Sequence, residues 1–279
     1  MTAAGPALLG EGPVWDAALG ELVWVDIARG LVHRRRPGEA DASVDVGQPV
    51  GCAVPRAGGG LALALRDGFA LLPGGGGRPR LVAPVEQERS DTRMNDGACD
   101  SRGRFWAGTM SLLGDTRTAA LYRLDADLTA TRVLPGVSIS NGLGWSPDDR
   151  IMYHVDTPRG RIDAYEFHAV SGAIGARRAA IAVATDRGRP DGLAVDAEGG
   201  IWVALWGGGV VQRYSPEGRQ DARIELPVSQ VTSCCFGDCD LGTLYITTAA
   251  RGAEHEPLAG SLFCCRPGVR GLPATPFAG

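Results

Sequence analysis

Asp191-Gly192-Leu193-Ala194-Val195-Asp196, followed shortly by Ile201-Trp202-Val203-Ala204-Leu205, consists of two apolar runs separated by a turn containing Gly. Short apolar runs bounded by Gly, Asp and Pro read as strands. The same unit recurs along the chain. Glu11-Gly-Pro-Val-Trp-Asp16 precedes Leu22-Val-Trp-Val-Asp26, and Gly51-Cys-Ala-Val-Pro55 precedes Leu61-Ala-Leu-Ala-Leu65. Asp96-Gly-Ala-Cys-Asp100 precedes Phe105-Trp-Ala-Gly-Thr109, and Asn141-Gly-Leu-Gly-Trp145 precedes Ile151-Met-Tyr-His-Val-Asp156. Ser233-Cys-Cys-Phe-Gly237 precedes Leu244-Tyr-Ile-Thr-Thr248. The copies are spaced by roughly 40 to 50 residues, a period that signals propellers and other repeat folds. Further strand-like segments lie between them, such as Ala120-Leu-Tyr-Arg-Leu124. Four strands per unit and six units predict an all-β fold, a six-bladed β-propeller with four-stranded blades. A β-sandwich is the competing architecture, and the long regular period argues against it. Gly74-Gly-Gly-Gly77 reads as a flexible loop. No linker divides the chain, so residues 1–279 read as a single domain.

Composition narrows the function. Hydrophobic residues make up 44% of the 279, enough for a sizeable core, and the net charge of -4 argues against a nucleic-acid partner. No apolar run approaches the about 20 residues of a membrane span. The first ten residues lack a basic segment and a long apolar core, so the expected location is the cytoplasm. The seven Cys, an odd count, read as free thiols, with a zinc site disfavoured by the absence of a CxxC pair or a neighbouring His. All 28 basic residues are Arg, which excludes Schiff-base catalysis by a lysine. There is no Gly-x-Ser-x-Gly elbow and no usable nucleotide-binding signature. Nothing in the sequence signals an oligomer.

In a propeller the first strand of each blade lines the central channel, and a residue just before it sits at the mouth. By repeat position Glu11, Val50, Asn95-Asp96, Asn141, Asp191 and Thr232 form that ring. Glu11, Asn141 and Asp191 would together offer oxygen ligands to a hard divalent cation. The competing reading is that Asn-Gly and Asp-Gly are turn dipeptides. Three oxygen donors at equivalent repeat positions favour the metal. Arg93 and Asn95 are two apart and share one side of an extended strand, where they could hold a polar substrate. The alternative for Arg93 is pairing with Asp91 or Asp96. Asp96 reads as a buried brace in preference to a pocket acid. Asp100, Asp148 and Asp196 read as turn-formers. None of the four His falls on the ring, and His154 reads as a satisfied core residue.

Several ordered motifs then resemble one family over nearly the whole chain. They are Glu11-Gly-Pro-Val-Trp, Arg93-x-Asn-Asp-Gly, Gly103-Arg-Phe-Trp-Ala-Gly-Thr-Met, Ser140-Asn-Gly-Leu, Pro190-Asp-Gly-Leu and Thr232-Ser-Cys-Cys-Phe-Gly. Gly260-Ser-Leu-Phe and Pro267-Gly-Val-Arg-Gly-Leu-Pro also look like its bacterial members. The set resembles the gluconolactonase/regucalcin family. The resemblance implies a six-bladed propeller that opens sugar lactones, such as gluconolactone, xylonolactone or arabinolactone, to aldonic acids. It implies one divalent metal on Glu11, Asn141 and Asp191, and substrate contacts from Arg93 and Asn95. Calcium suits an all-oxygen site, with zinc, manganese, magnesium and ferrous iron as alternatives. The attacking water would be activated by the metal, by Asp191 as general base, or by both, and Asp191 would then be ligand and base at once. Animal members carry an acid shortly after Gly-Thr-Met, whereas here Ser111-Leu-Leu-Gly114 has none before Asp115. The histidine pair of paraoxonase-type lactonases is absent at the mouth. The rival functions are a non-catalytic propeller that binds a cation or a partner, and hydrolysis of another ester or phosphoester on the same metal.

Overall fold

The computed structural model describes residues 6–183 and 188–279. These residues form six antiparallel sheets in a ring, a six-bladed β-propeller. The innermost strands, in blade order, are Gly10–Asp16, Val50–Pro55, Thr92–Cys99, Ser140–Trp145, Arg189–Val195 and Val231–Gly237. Each lies against the innermost strand of the next blade, and the sixth lies against the first. Among the described residues the only helical element is the 3-10 turn Thr157–Arg159, and no helix is long and apolar enough to cross a membrane.

The apolar runs are continuous because each blade is covered on both faces. Side chains alternate across a strand, so in Leu61–Leu65 the leucines and alanines point to opposite neighbours. Leu61, Leu63 and Leu65 pack with Val23, Val25 and Val32 of blade one. Ala62 and Ala64 pack with Met94, Phe105 and Leu124 of blade three. In blade five, Ile201, Val203 and Leu205 face blade four while Trp202 and Ala204 face blade six. The core is therefore a set of layers between blades, as in face-to-face sheet packing.

The prediction of four strands per blade holds for five sheets. Among the described residues the sixth has three strands, ending at Phe263–Cys265. The chain leaves that blade as a strap across one end of the channel instead of adding a fourth strand. The strap bonds to blades five and six through Ala197 N to Arg270 O (2.9 Å) and Gly271 N to Leu241 O (2.8 Å). It reaches blades two and three through Phe277 N to Pro55 O (2.8 Å) and Ala278 N to Gly103 O (2.9 Å). Leu272–Thr275 line a channel cavity of about 360 Å³ beneath this strap.

Asp100 and Asp196 are turn-formers, as read from the sequence, and also do more. Asp196 Oδ1 accepts the Glu198 and Gly200 amides, while its Oδ2 accepts from the Trp202 indole (2.9 Å) and Arg213 Nε (2.7 Å). Asp100 serves Trp106 and Arg104 in the same way.

Candidate active site

In all six innermost strands the pairing register slips once, and the ring residues sit at the slip or, for Glu11 and Val50, immediately before it. The slips fall just after Glu11, at Gly51, at Asn95-Asp96, at Asn141-Gly142, at Asp191-Gly192 and at Thr232. Such β-bulges leave one residue unpaired and re-aim its side chain. Val50 opens its strand and the other ring residues lie within theirs, not just before them. The turn-dipeptide reading of Asn141-Gly142 and Asp191-Gly192 is overturned, because both pairs are within strands. Their glycines serve close approach. A Cβ on Gly142 would meet Leu193 N at 2.7 Å and Asp191 O at 2.8 Å, and one on Gly192 would meet Ser233 Oγ at 2.1 Å.

A directional hydrogen-bond chain runs through this ring. Arg93 Nη1 donates to Asn95 Oδ1 (2.7 Å). Asn95 Nδ2 donates to the Ser140 carbonyl (2.8 Å) and to Asn141 Oδ1 (2.7 Å). Asn141 Nδ2 donates to Thr157 Oγ1 (2.7 Å), and Thr157 donates to the Pro190 carbonyl (2.9 Å). A guanidinium can only donate and a carbonyl can only accept, so both amides have a forced orientation. Asn141 thus turns its oxygen toward Asn95, with one of two lone pairs uncommitted. The sequence-based pairing of Arg93 with Asp91 does not form, because Asp91 is held by Arg89 (2.7 Å).

The carboxylates are poorly compensated. Asp191 is 5% exposed and its Oδ1 is buried without a hydrogen-bond partner. Glu11 accepts only a long bond from its neighbour Gly12 N (3.3 Å). Burial, then the charge of Asp96, raises the Glu11 carboxyl from its ordinary 4.5 to about 8. Burial, then Glu11 and Asp96, pushes Asp191 well up, and burial lifts Asp96 to about 6. Burial lowers the Arg93 guanidinium to about 10, so it stays charged at neutral pH. Asp96 accepts only from Gly97 N (2.8 Å), braces nothing, and borders the channel cavity. In place of a brace, Asp96 is a poorly compensated buried acid whose charge raises Glu11 and Asp191, and the cavity it borders is lined by neither of them. The repeat position put Asp96 on the ring, but its charge effect on acids of other blades is not encoded in local spacing.

Other ring positions are structural. Thr232 Oγ1 donates to Gly10 O (2.6 Å), closing blade six on blade one, and Val50 is fully buried. His154 is held by Ser140 Oγ (2.9 Å), and burial lowers it to about 4, so it is neutral. Ser140 is 0% exposed, so this Ser-His contact cannot reach a substrate. All seven Cys are free.

Glu11, Asn141 and Asp191 fit a hard cation on their chemistry. Two buried carboxylates lack compensating donors, one carboxylate oxygen has no partner, and Asn141 adds a neutral oxygen at the equivalent position of blade four. Among the described residues no three His, Cys, Asp or Glu side chains form a metal cluster by themselves, so the set depends on the Asn141 amide.

These electrostatics predict a pH effect on metal-free protein. A folded Glu11 titrating near 8 keeps a proton that the unfolded chain has released by then. That stability is fully present below the ordinary carboxylate range and is lost as pH rises through about 8. Thermal melting of chelator-treated protein should therefore give a lower Tm at pH 8.5 than at pH 6 (test values bracketing that titration, about 2.5 units apart). A saturating cation should remove most of the difference.

Residues 9–250 match the family described as the SMP-30/gluconolactonase/LRE-like region. The chain is 36% identical to regucalcin of Xenopus laevis, covering 97% of this chain and 95% of that protein. It is 38% identical to a 6-deoxy-6-sulfogluconolactonase of Pseudomonas putida, covering 98% and 96%. Its structure is similar to a crystal structure of a calcium-binding protein, regucalcin, from Agrobacterium tumefaciens. The TM-score is 0.93 at 29% identity, over 98% of this chain and 95% of that one.

Proposed function

Since the chain belongs to the SMP-30/gluconolactonase/LRE-like family, we propose that it is a hydrolase that opens a sugar lactone to its aldonic acid with the help of one divalent metal. The observation that carries this reading is the buried, unpartnered Asp191 Oδ1 beside Glu11. Two such carboxylates are costly in a bare pocket and well suited to a cation. Glu11, Asn141 and Asp191 would hold it, and calcium suits the all-oxygen set best. When bound, the cation supplies Lewis-acid polarisation of the lactone carbonyl.

The remaining work falls to side chains. Arg93 and Asn95 are already locked to each other, so they can orient the sugar hydroxyls at little entropic cost. Arg93 keeps free N–H groups that donate to the carbonyl oxygen as negative charge develops there. Asp191 takes a proton from the attacking water, and that proton returns to the departing ring oxygen as the C–O bond breaks. The relative named as a 6-deoxy-6-sulfogluconolactonase supports the substrate class. The segment after Met110 bears on its range. Leu112 and Leu113 are exposed there, and the first acid, Asp115, is engaged by the Ser138 hydroxyl. A substrate's distal hydroxyls therefore find no free carboxylate on this segment before Asp115.

The test follows acid release from gluconolactone, xylonolactone and arabinolactone with and without chelator. Acceleration that chelation removes and calcium restores supports the proposal. Rates equal with and without protein would favour a non-catalytic cation-binding propeller. Cation binding to chelator-treated protein at neutral pH should also release protons, because Glu11 titrates near 8 until a cation displaces its proton. Calorimetry in buffers of different ionisation enthalpy reads that release directly.

A further inference from the structure

We infer that Thr157 is a positioning residue that sets the orientation of the Asn141 amide and thereby presents its oxygen to the metal. This rests on the metal reading above and deepens it. Thr157 stands outside the ring of repeat positions, at the start of the 3-10 turn Thr157–Arg159 that joins the second and third strands of blade four and touches the innermost strand of blade five. It is 8% exposed. Its single O–H is committed to the Pro190 carbonyl (2.9 Å), an acceptor that cannot donate. Its oxygen can therefore only accept from Asn141, and the amide must turn its nitrogen toward Thr157 (2.7 Å). The amide oxygen then faces Asn95.

The Pro190 carbonyl belongs to the residue before Asp191. One hydroxyl thus ties the candidate ligand of blade four to the backbone carrying that of blade five. The mount is rigid. Thr157 N donates to Ile139 O (3.1 Å), and Gly160, in the left-handed region at φ 61°, closes the turn by donating to Thr157 O (3.1 Å). The preceding Asp156 accepts the Ser138 and Ile139 amides (3.2 and 3.0 Å) and Arg159 Nε (2.9 Å). The hydroxyl is consequently held in place by the fold whether or not a cation is bound.

Thr157→Val keeps the side-chain shape and removes the hydroxyl. Asn141 Nδ2 then loses its acceptor, and the amide is held only at its oxygen, by Asn95 Nδ2 (2.7 Å), so its plane is less firmly fixed toward the cation. Losing a partner that orients a ligand typically weakens metal binding about 10- to 100-fold. The experiment is calorimetric titration of chelator-treated protein with calcium, and separately with zinc. The comparison is wild type, Thr157→Val and Thr157→Ser, with the Tm of each metal-free protein. The expected result is weakened binding in Thr157→Val and near-normal binding in Thr157→Ser, which retains the hydroxyl. Equal affinity in wild type and Thr157→Val overturns the inference while leaving the metal reading intact. Equal weakening in both variants also overturns it, since the lost methyl and not the hydroxyl would then be responsible. If wild type binds neither cation, the metal reading itself fails, and this inference with it. Should Thr157→Val not fold, Thr157→Ala carries the same expectation.

Discussion

Asp191→Ala should lower kcat/KM for the preferred sugar lactone by about 10²- to 10⁴-fold, the range expected for removing a general base. The variant also removes a proposed metal ligand, so cation affinity should fall with it. Asp191→Asn separates these roles. An amide oxygen can still ligate, as proposed for Asn141, but an amide cannot accept the proton from water. If Asp191 is both ligand and base, Asp191→Asn should bind cation measurably and turn over almost nothing. The stability change should go the other way. Asp191 is 5% exposed, has a partnerless Oδ1, and is pushed well up by burial and the neighbouring Glu11 and Asp96 charges. Replacing it with the neutral amide relieves that strain in metal-free protein, so the metal-free Tm at pH 8 should rise in Asp191→Asn (about pH 8 being above the ordinary carboxylate range). Rising stability with vanishing activity is the pattern of a residue kept for chemistry at a cost to the fold. Full activity in Asp191→Asn would remove Asp191 as base, and full activity in Asp191→Ala would remove it from the site.

The fold was readable in the sequence because both faces of each blade are dry. Runs such as Leu61–Leu65 and Ile201–Leu205 have no polar face to blur the strand signal, and their spacing gives the blade number. The missing fourth strand of blade six was not readable. Gly260–Gly279 carries the same Gly- and Pro-rich, short-run composition whether it pairs as a strand or crosses the channel as a strap. The same division runs through the site. Arg93 and Asn95 share a side because of strand periodicity, and they are indeed bonded at 2.7 Å. Glu11, Asn141 and Asp191 share a repeat position, and the six equivalent bulges bring that position to one ring. Asp96 and Thr157 are different. Asp96 matters through its charge on Glu11 and Asp191 from other blades, and Thr157 through a hydroxyl that bridges two blades. No local spacing encodes contacts of that kind. The glycines after Asn141 and Asp191 were visible, but their purpose was not. As turn residues they would have been interchangeable with other small polar residues, whereas as spacers between blades they are not.

That distinction gives the second large effect. Gly142→Ala should reduce both stability and activity although it removes no functional group. The added Cβ would lie 2.7 Å from Leu193 N, 2.8 Å from Asp191 O and 2.8 Å from Leu193 Cγ. Two of these are backbone atoms of the next blade's innermost strand, which cannot rotate away as a side chain can. Overpacking of this kind costs about 1–3 kcal/mol, so a clear fall in Tm is expected. The strand that must give way carries Asp191, and the strand that pushes it carries Asn141. Separating them also stretches the Asn141–Thr157–Pro190 links, at 2.7 and 2.9 Å, that set the amide. Cation affinity and kcat/KM should therefore drop more than an equally destabilising change in the outer strands would cause. Gly75→Ala is the control, since no atom lies within 4 Å of the Cβ it would add. It should leave Tm and turnover unchanged. Gly142→Ala with wild-type cation affinity would mean that blades four and five can part without moving Asn141 from Asp191. In that case the close approach serves packing alone.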